Sequence, residues 1–168
     1  MHIEKRIKLV EGGGGNMKRK EPVSVIMTSE VSTVHVDQDI SDVRNILEEN
    51  PFHHIPVVTG RKIVGLISSS DMMKLTFALS YSNEPLDDET LNKRFTIEDV
   101  MHKDVYTINA KETTLRAAEM FCGGCFHSLL VVDEKDNLVG IVTSTDMVML
   151  LLDQYRTKIN WQNEIKTC

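Results

Sequence analysis

Short runs of apolar residues alternate with amphipathic segments along the chain. Near-continuous apolar runs at 55–58 and 63–67 predict two buried strands, and a shorter strand is expected around Thr33. Between them lies a segment whose apolar residues share one helical face, namely Ile40, Val43, Ile46 and Leu47. Asp39 is a candidate cap for this helix, and a second helix is expected to begin at Asp71. The pattern predicts the order strand, helix, strand, strand, helix.

The same order recurs later in the chain. A strand is expected at Thr107, apolar runs at 129–132 and 138–142 predict two more, and a last helix is expected to begin at Asp146. The apolar face predicted for the intervening helix consists of Leu115, Ala118, Phe121 and Cys122. The chain therefore contains an internal repeat.

The offset between the two copies changes once. It is 74 positions between His53 and His127 but 75 between Asp71 and Asp146, and the extra residue falls where 59–62 is replaced by 133–137. Insertions belong in turns, so the change of register supports the alignment. The prediction is an α/β (α+β) fold of two tandem repeats. A unit of about 60 residues buries little surface alone, so the repeats should pack with pseudo-twofold symmetry, and self-association is expected.

The expected organisation divides the chain into five parts. These are a flexible N-terminal tail over 1–20, a first repeat over 21–80, an acidic linker over 81–95, a second repeat over 96–160 and a tail over 161–168. Four glycine codons lie just upstream of Met17 and could be a ribosome-binding sequence read as protein, so Met17 is a candidate for the natural start.

Two further helix signals lie near the second repeat. Thr96-Ile97-Glu98-Asp99 resembles a capping box and predicts the start of a short helix. Leu151, Tyr155 and Ile159 keep helical spacing, so the last helix should run past the repeat.

Composition narrows the class of protein. The 168 residues are 41% hydrophobic and 26% charged, which suits a packed and soluble chain, and the net charge of −6 argues against nonspecific nucleic-acid binding. The sequence has no apolar run of about 18 residues, no signal-peptide pattern and only three cysteines, so the cytoplasm is the expected location.

One motif appears in both copies, as Gly65-Leu-Ile-Ser-Ser-Ser-Asp71 and Gly140-Ile-Val-Thr-Ser-Thr-Asp146. A helix N-terminus attracts phosphate, hydroxyls can donate to phosphate oxygens, and a carboxylate can accept from two ribose hydroxyls. This chemistry favours nucleotide binding. The alternative is ordinary helix capping, because a Ser/Thr three residues before an acidic residue is also a capping box.

Other candidate sites carry less weight. Cys122-Gly-Gly-Cys125 with His127 could suggest redox or zinc chemistry, but it follows a helix, Gly123 is a natural C-cap, and a fourth ligand is missing. No nucleophile, base and orienting group are brought together by the pattern, so neither a catalytic nor a metal site is predicted.

The combination of motifs resembles a CBS domain pair, a regulatory module named after cystathionine β-synthase. The resemblance rests on Met27-Thr28 and Met101-His102, on His54-Ile55-Pro56-Val57-Val58, and on the repeated Gly…Ser/Thr-x-x-Asp, and it covers roughly residues 22–155. It implies a cleft between the repeats that holds up to two ligands such as AMP, ADP, ATP or S-adenosylmethionine, and NAD-type ligands also occur.

The resemblance also implies ligand-binding positions. Those matching here are Thr33, His53, His54, Ile55, Pro56, Ser68, Asp71, Thr107, His127, Ser128, Thr143 and Asp146. The two aspartates would bind ribose, the hydroxyls at 68 and 143 would lie near ribose or phosphate, and the threonines at 33 and 107 would border adenine. The residues before the second strand of each copy would face phosphate.

The sequence departs from the family pattern in the second copy. Ser128 stands where a basic residue would be useful, and Leu130 replaces the proline present as Pro56. Histidine is only partly charged near neutrality, so AMP or ADP, or a ligand without phosphate, is favoured over a triphosphate. The leading hypothesis is a non-catalytic sensor that requires no cofactor, forms a homodimer and reports to a protein partner. The alternative is a structural or protein-interaction pair without nucleotide.

Overall fold

The structure, a computed structural model, describes residues 21–82, 84–124 and 126–165, with side chains through Arg156. The predicted N-terminal tail, the candidate start at Met17, and Cys125 of the CxxC motif lie outside these residues.

The described chain divides into two compact units. Unit 1 is built from the segment that ends at Val31, from Tyr106–Lys135 and from the segment that starts at Val139. Unit 2 is built from Ser32–Val105 together with Asp136–Leu138. The repeat boundaries given above remain a prediction from the sequence pattern.

Unit 2 contains one sheet and a set of helices. In chain order its elements are β1 (Val34–His35), α1 (Ile40–Glu49), β2 (His54–Thr59), β3 (Lys62–Ser68), α2 (Ser69–Tyr81), α3 (Asp88–Arg94) and α4 (Ile97–Val100). β1 runs parallel to β2, and β2 runs antiparallel to β3, so β2 is the central strand. Its four middle residues are buried, which confirms the buried strand predicted at 55–58. The strand predicted at 63–67 is present as β3, but only Gly65 and Ile67 are buried, so the prediction that this strand is buried throughout is wrong and its other face stays open.

α1 packs against this sheet through the face that its apolar spacing predicts. Ile40 and Val43 are buried in the same core cluster as Ile55, and Ile46 and Leu47 pack against it. Asp39 occupies the N-cap position, but its side chain accepts no capping hydrogen bond, so its predicted capping role is not observed.

The first residues of α2 correct another expectation. The helix begins at Ser69 rather than at Asp71, because Ser68 is the N-cap and Asp71 is the third helical residue. The same shift applies to the last helix, which begins at Ser144 rather than at Asp146.

α3 lies in the predicted linker and was not expected. Asp87 caps it by accepting a hydrogen bond from the Thr90 amide, and Leu91 is buried in the core of unit 2. The following α4 starts with the predicted capping box: Thr96 and Asp99 exchange hydrogen bonds between side chain and backbone.

Unit 1 repeats the arrangement. After a 3₁₀ turn at Val23–Val25 come β4 (Thr107–Asn109), α5 (Thr114–Gly123), β5 (Ser128–Val132), β6 (Leu138–Thr143) and α6 (Ser144–Ile165). β4 pairs in parallel with β5, and the strand order is β4-β5-β6. Every residue of β5 is buried, which confirms the buried strand predicted at 129–132, whereas only Gly140 and Val142 are buried in β6. α6 continues to Ile165, so the predicted extension of the last helix is confirmed, and no helix within the described chain is long and apolar enough to cross a membrane.

The buried face of α5 differs from the predicted one. Thr114 and Ala117 are buried and Phe121 packs on the core, whereas Leu115 and Cys122 are exposed. The helix is therefore rotated by about one residue from the orientation that its largest apolar side chains suggested. It ends at Gly123 with Gly124 as its C-cap, not with Gly123 as the cap.

Both hairpin turns lie where the offset between the copies changes. The β2–β3 turn contains Gly60 at a φ of 62°, and the longer β5–β6 turn contains Asp136 at a φ of 56°. Gly60 has no side chain to oppose this left-handed backbone, and aspartate tolerates it better than most residues. The extra residue is thus absorbed in a turn, as expected.

Each unit contains a short segment that pairs with the last strand of its sheet, which is β6 in unit 1 and β3 in unit 2. Thr28 exchanges two backbone hydrogen bonds of 2.9 Å with Ile141 in unit 1. His102 exchanges two of 2.9 and 3.0 Å with Leu66 in unit 2. Each unit therefore combines the sheet of one sequence repeat with the leading segment of the other.

The repeated glycines make this pairing possible. A Cβ atom at Gly140 would lie 2.5 Å from Sδ of Met27, and one at Gly65 would lie 2.5 Å from Sδ of Met101. The methionine of each segment thus covers the glycine of the strand with which its segment pairs.

Candidate functional site

In unit 2, the junction between β3 and α2 brings the predicted hydroxyl and carboxylate together. The Oδ2 atom of Asp71 accepts hydrogen bonds from the Ser68 amide, at 3.0 Å, and from the Ser68 hydroxyl, at 2.5 Å. Ser68 Oγ is in turn 3.4 Å from the Asp71 amide, which completes a capping box. Helix capping therefore accounts for one oxygen of the carboxylate.

The other oxygen of Asp71 is engaged by two cationic or potentially cationic side chains. Oδ1 accepts from Nζ of Lys74 at 2.7 Å and from Nε2 of His102 at 3.2 Å. Asp71 is only 5% exposed. Burial opposes its ionisation, but the hydrogen bonds from Lys74, Ser68 and His102 outweigh burial and hold the pKa of the carboxyl well below its ordinary value. Asp71 is therefore ionised at neutral pH.

In unit 1, the junction between β6 and α6 repeats the capping contacts. Oδ2 of Asp146 accepts from the Thr143 amide at 2.8 Å and from the Thr143 hydroxyl at 2.7 Å, and Thr143 Oγ1 lies 3.3 Å from the Asp146 amide. Asp146 is 7% exposed. Its Oδ1 atom accepts no hydrogen bond from any residue that the structure describes.

In each unit the last strand, β3 or β6, ends beside the start of the central strand, β2 or β5. The Ser69 amide donates to the His53 carbonyl at 3.0 Å, and the Ser144 amide donates to the His127 carbonyl at 3.1 Å. Ser128, the first residue of β5, therefore lies at the same end of the sheet as Asp146. Ser128 is 8% exposed, and its hydroxyl makes no hydrogen bond to the described residues.

The remaining predicted residues lie along the first two strands of each sheet. Thr33 directly precedes β1 and Thr107 opens β4, and both are exposed. The imidazoles of His53 and His127 belong to exposed residues, and Ser69 Oγ lies 3.5 Å from Nδ1 of His53. Among the central-strand residues of unit 2, His54 is partly exposed, whereas Ile55 and Pro56 are buried.

An aromatic pair in unit 1 lies next to two of these positions. Tyr106 precedes Thr107 and Phe126 precedes His127, and their rings stack with centroids 4.0 Å apart. Tyr106 remains 56% exposed. The corresponding residues of unit 2 are Ser32 and Phe52, so this stacked pair belongs to unit 1.

Sequence reasoning missed the partners of Asp71. Lys74 lies three residues after Asp71 on the same helix, a spacing at which side chains meet, and that signal was available. The contact from His102 depends on the pairing of its segment with β3, which no local pattern reveals.

These junctions supply groups suited to a nucleoside. A carboxylate oxygen can accept from neighbouring ribose hydroxyls, serine and threonine hydroxyls can donate or accept, and the first turn of α2 or α6 favours negative charge. The described residues contain no group of three or more His, Cys, Asp or Glu placed to hold a metal ion. Cys122 is an exposed free thiol.

Comparison with protein-family models finds a match to each of the two sequence repeats. The model of the CBS domain matches residues 23–77 and again residues 97–153.

Comparison with solved structures finds CBS domain pairs. The CBS domain pair of protein MJ0100, crystallised with 5′-methylthioadenosine and S-adenosyl-L-methionine, has a TM-score of 0.63 and 28% identity over 79% of this chain and 97% of that one. CBSX2, crystallised with AMP, has a TM-score of 0.66 and 22% identity over 80% of this chain and 98% of that one. The mixed α/β fold predicted from the sequence is thereby confirmed.

A curated relative is longer than this chain. An uncharacterized protein of Methanocaldococcus jannaschii, MJ0188, is 29% identical over 145 residues, which are 86% of this chain and 49% of the relative. The chain thus spans about half the length of that relative.

Proposed function

Because this chain belongs to the CBS domain family, we propose that it is a non-catalytic regulatory module that binds an adenosine-containing ligand. The observation that carries the proposal is the repeated junction at which a hydroxyl holds a nearly buried aspartate at a helix start, at Ser68 with Asp71 and at Thr143 with Asp146. A carboxylate in this position can bind ribose hydroxyls, and the helix start can bind phosphate.

The ligand class is supported by a structural relative. The CBS pair of MJ0100, at 28% identity, is complexed with 5′-methylthioadenosine and S-adenosyl-L-methionine. Both molecules carry an adenosine, so the shared feature to be recognised is the nucleoside. We favour AMP or ADP for this chain, with S-adenosylmethionine as the leading ligand without phosphate.

Ligand binding would regulate by shifting a conformational equilibrium. A ligand favours whichever arrangement binds it better, and only by the difference between its two affinities. We propose that the reporting surface faces a protein partner in the cytoplasm. Neither contact with nucleic acid nor contact with a membrane is needed for this function.

A homodimer is part of the proposal. α2 exposes Met73, Phe77 and Tyr81, which recur every fourth residue and so form one stripe. α6 exposes a comparable stripe made of Val148, Leu151, Leu152 and Tyr155. Contiguous exposed apolar surface on a soluble chain marks an interaction site, and a second copy can cover it symmetrically.

The alternative function is a protein-interaction module without a nucleotide. It is favoured by one specific observation: capping boxes explain Oδ2 of both aspartates without any ligand. Under this alternative the exposed stripes of α2 and α6 would carry the function.

Calorimetric titration of nucleotide-free protein separates the two functions. AMP, ADP, ATP, S-adenosylmethionine and NAD are each titrated into the native chain and into the Asp71→Ala and Asp146→Ala variants. Saturable binding that is weakened by about 1.5–3 kcal/mol in an aspartate variant supports the sensor, because charged hydrogen bonds contribute on that order. A folded protein that gives no heat with any of the five ligands supports the alternative.

A further inference from the structure

We infer that the two junctions are not equivalent: Asp146 is the carboxylate open to a ribose, and Asp71 is closed by Lys74 and His102. This inference rests on the proposed function and specifies which unit performs it. It is carried by the hydrogen bonds of the two carboxylates, which are alike at one oxygen and different at the other.

The shared oxygen cannot distinguish the units. In each aspartate Oδ2 accepts from the amide and the hydroxyl of the residue three positions earlier, which is Ser68 in unit 2 and Thr143 in unit 1. Two donors at 2.5–3.0 Å already occupy this oxygen. A ribose diol must therefore reach Oδ1 to gain a strong charge-assisted hydrogen bond.

In unit 2 that second oxygen is occupied. Lys74 donates to Oδ1 of Asp71 at 2.7 Å and His102 donates at 3.2 Å. The side chains of Lys74 and His102 are 70% and 64% exposed, respectively. They therefore contact the nearly buried carboxylate of Asp71 from its solvent side. A ribose entering from solvent would have to displace an ammonium group that already neutralises the charge.

In unit 1 the second oxygen is open. Oδ1 of Asp146 has no donor among the residues the structure describes, and it is not fully enclosed by protein although the residue as a whole is only 7% exposed. A carboxylate oxygen that solvent can reach and that has no protein donor is free to accept from a ribose hydroxyl. The Ser128 hydroxyl at the same end of the sheet also makes no hydrogen bond to the described residues.

The amino-acid sequence explains the difference. At the repeat offset of 75, the position of Lys74 is taken by Met149. The position of His102 is taken by Thr28, which pairs with β6 as His102 pairs with β3. Unit 1 therefore lacks both donors because of two substitutions between the repeats, not because of a different backbone.

Exchanging these two residues tests the inference. AMP is titrated into the native chain, into Asp146→Asn, into a Lys74→Met/His102→Thr variant, and into that variant with Asp71→Asn added. The native chain should bind one AMP per chain, and Asp146→Asn should weaken binding by about tenfold to a hundredfold, the loss of one charge-assisted hydrogen bond. The exchange should create a second site, and the added Asp71→Asn should remove it.

The reverse substitution supplies a matched control within the chain. Met149→Lys places an ammonium three residues after Asp146 and should weaken AMP binding in the native background by about tenfold or more, whereas Met149→Leu should leave the dissociation constant within about twofold. Circular dichroism and thermal unfolding of each variant identify any that fail to fold, and a Met149→Gln variant then replaces Met149→Lys.

The outcomes separate this inference from the proposed function. Two equal sites in the native chain, or AMP binding that survives Asp146→Asn, overturn this inference and leave the proposed function standing. Absence of binding by AMP, ADP and S-adenosylmethionine in folded native protein overturns both. One native site that Asp146 controls, with a second gained by the exchange, supports both.

Discussion

Asp71 accepts four hydrogen bonds, two from Ser68 and one each from Lys74 and His102. A carboxylate held in this way is stabilised in its ionised form, and the pKa of Asp71 lies well below its ordinary value. Asp146 is equally buried but has two donors from Thr143 only, among the described residues. The neighbours of each aspartate, more than the aspartate itself, decide what it can bind.

The first prediction concerns the pH dependence of stability at Asp71. Its pKa is lower in the folded than in the unfolded chain, so its contribution is fully present above the unfolded value of about 4 and is lost as pH falls through the folded value. Asp71→Asn should reduce the free energy of unfolding by about 1–3 kcal/mol between pH 5 and 8. Below about pH 4 the difference from the native chain should shrink. Urea unfolding at pH 7, 5, 4 and 3 measures it.

Asp104→Asn is the control for this measurement, since Asp104 is exposed and has no hydrogen bond within the described chain. Its free energy of unfolding should follow the native curve throughout. A difference between the native chain and Asp71→Asn that stays constant down to pH 3 would contradict the assigned hydrogen bonds.

At the residue scale the sequence identified the capping pairs but not their surroundings. Ser68 with Asp71, and Thr143 with Asp146, are local, so spacing alone reveals them. The contact of His102 with Asp71 joins residues 31 positions apart and follows from backbone pairing with β3. Contacts of that kind leave no trace in local periodicity.

At the scale of elements, the segments that contain Met27 and Met101 make a packing contact whose energetic contribution can be measured. Each pairs with an outer strand by two backbone hydrogen bonds and covers a glycine of that strand with its methionine. In unit 1 the Thr28 carbonyl lies 3.0 Å from the position of a Cβ at Gly140, so an added methyl group would push against the backbone as well as against Met27.

Gly140→Ala should therefore destabilise the protein. The added methyl group would meet Sδ of Met27 at 2.5 Å and the Thr28 backbone at 3.0 Å, and overpacking of this kind costs about 1–3 kcal/mol. Chemical unfolding measures the change. The double variant Gly140→Ala/Met27→Ala should lose less stability than the sum of the losses of the two single variants, because the two residues are in contact.

Gly123→Ala is the matched control, since a Cβ at Gly123 has no heavy atom within 4 Å. It lies in the last turn of α5 and should be neutral or stabilising by up to about 1 kcal/mol. Equal losses for Gly140→Ala and Gly123→Ala would show that the close approach to Met27 has no energetic consequence.

Most helices and strands could be predicted from the sequence, and the predictions that failed did so for physical reasons. The buried strands β2 and β5 follow from continuous apolar runs. α3 escaped detection because Asp88–Arg94 contains one buried residue, Leu91, and so shows no apolar period. The face of α5 was misjudged because the small residues Thr114 and Ala117, not Leu115, are buried.

At the scale of the whole molecule, each compact unit contains segments from both sequence repeats. Unit 1 includes the segment that ends at Val31, and unit 2 includes the residues that lead up to Val105. Internal similarity predicts which residues correspond, but not which segment packs on which sheet. That choice depends on long-range pairing such as Thr28 with Ile141.

The exposed stripe on α2 leads to a prediction about association. Phe77 and Met73 are each 60% exposed and Tyr81 is 92% exposed, so a charge at Phe77 should prevent a second copy from covering the stripe. Size-exclusion chromatography with light scattering should report a dimer for the native chain and a shift towards monomer for Phe77→Glu.

Ala78→Glu places the same charge on the same helix at an exposed residue about 100° around the helix axis from Phe77, and it should leave the dimer intact. A native chain that remains monomeric at high concentration, or equal dissociation by both variants, would contradict the proposed homodimer.

The central claim is that this chain binds an adenosine-containing ligand through its ribose. The most direct test is calorimetric titration of nucleotide-free native protein with AMP and, as the matched ligand, 2′-deoxy-AMP. The account predicts saturable AMP binding that weakens by about tenfold or more when the 2′-hydroxyl is absent, since a carboxylate loses a hydrogen-bond donor. Equal affinity for the two nucleotides, or no binding of either by folded protein, would contradict it.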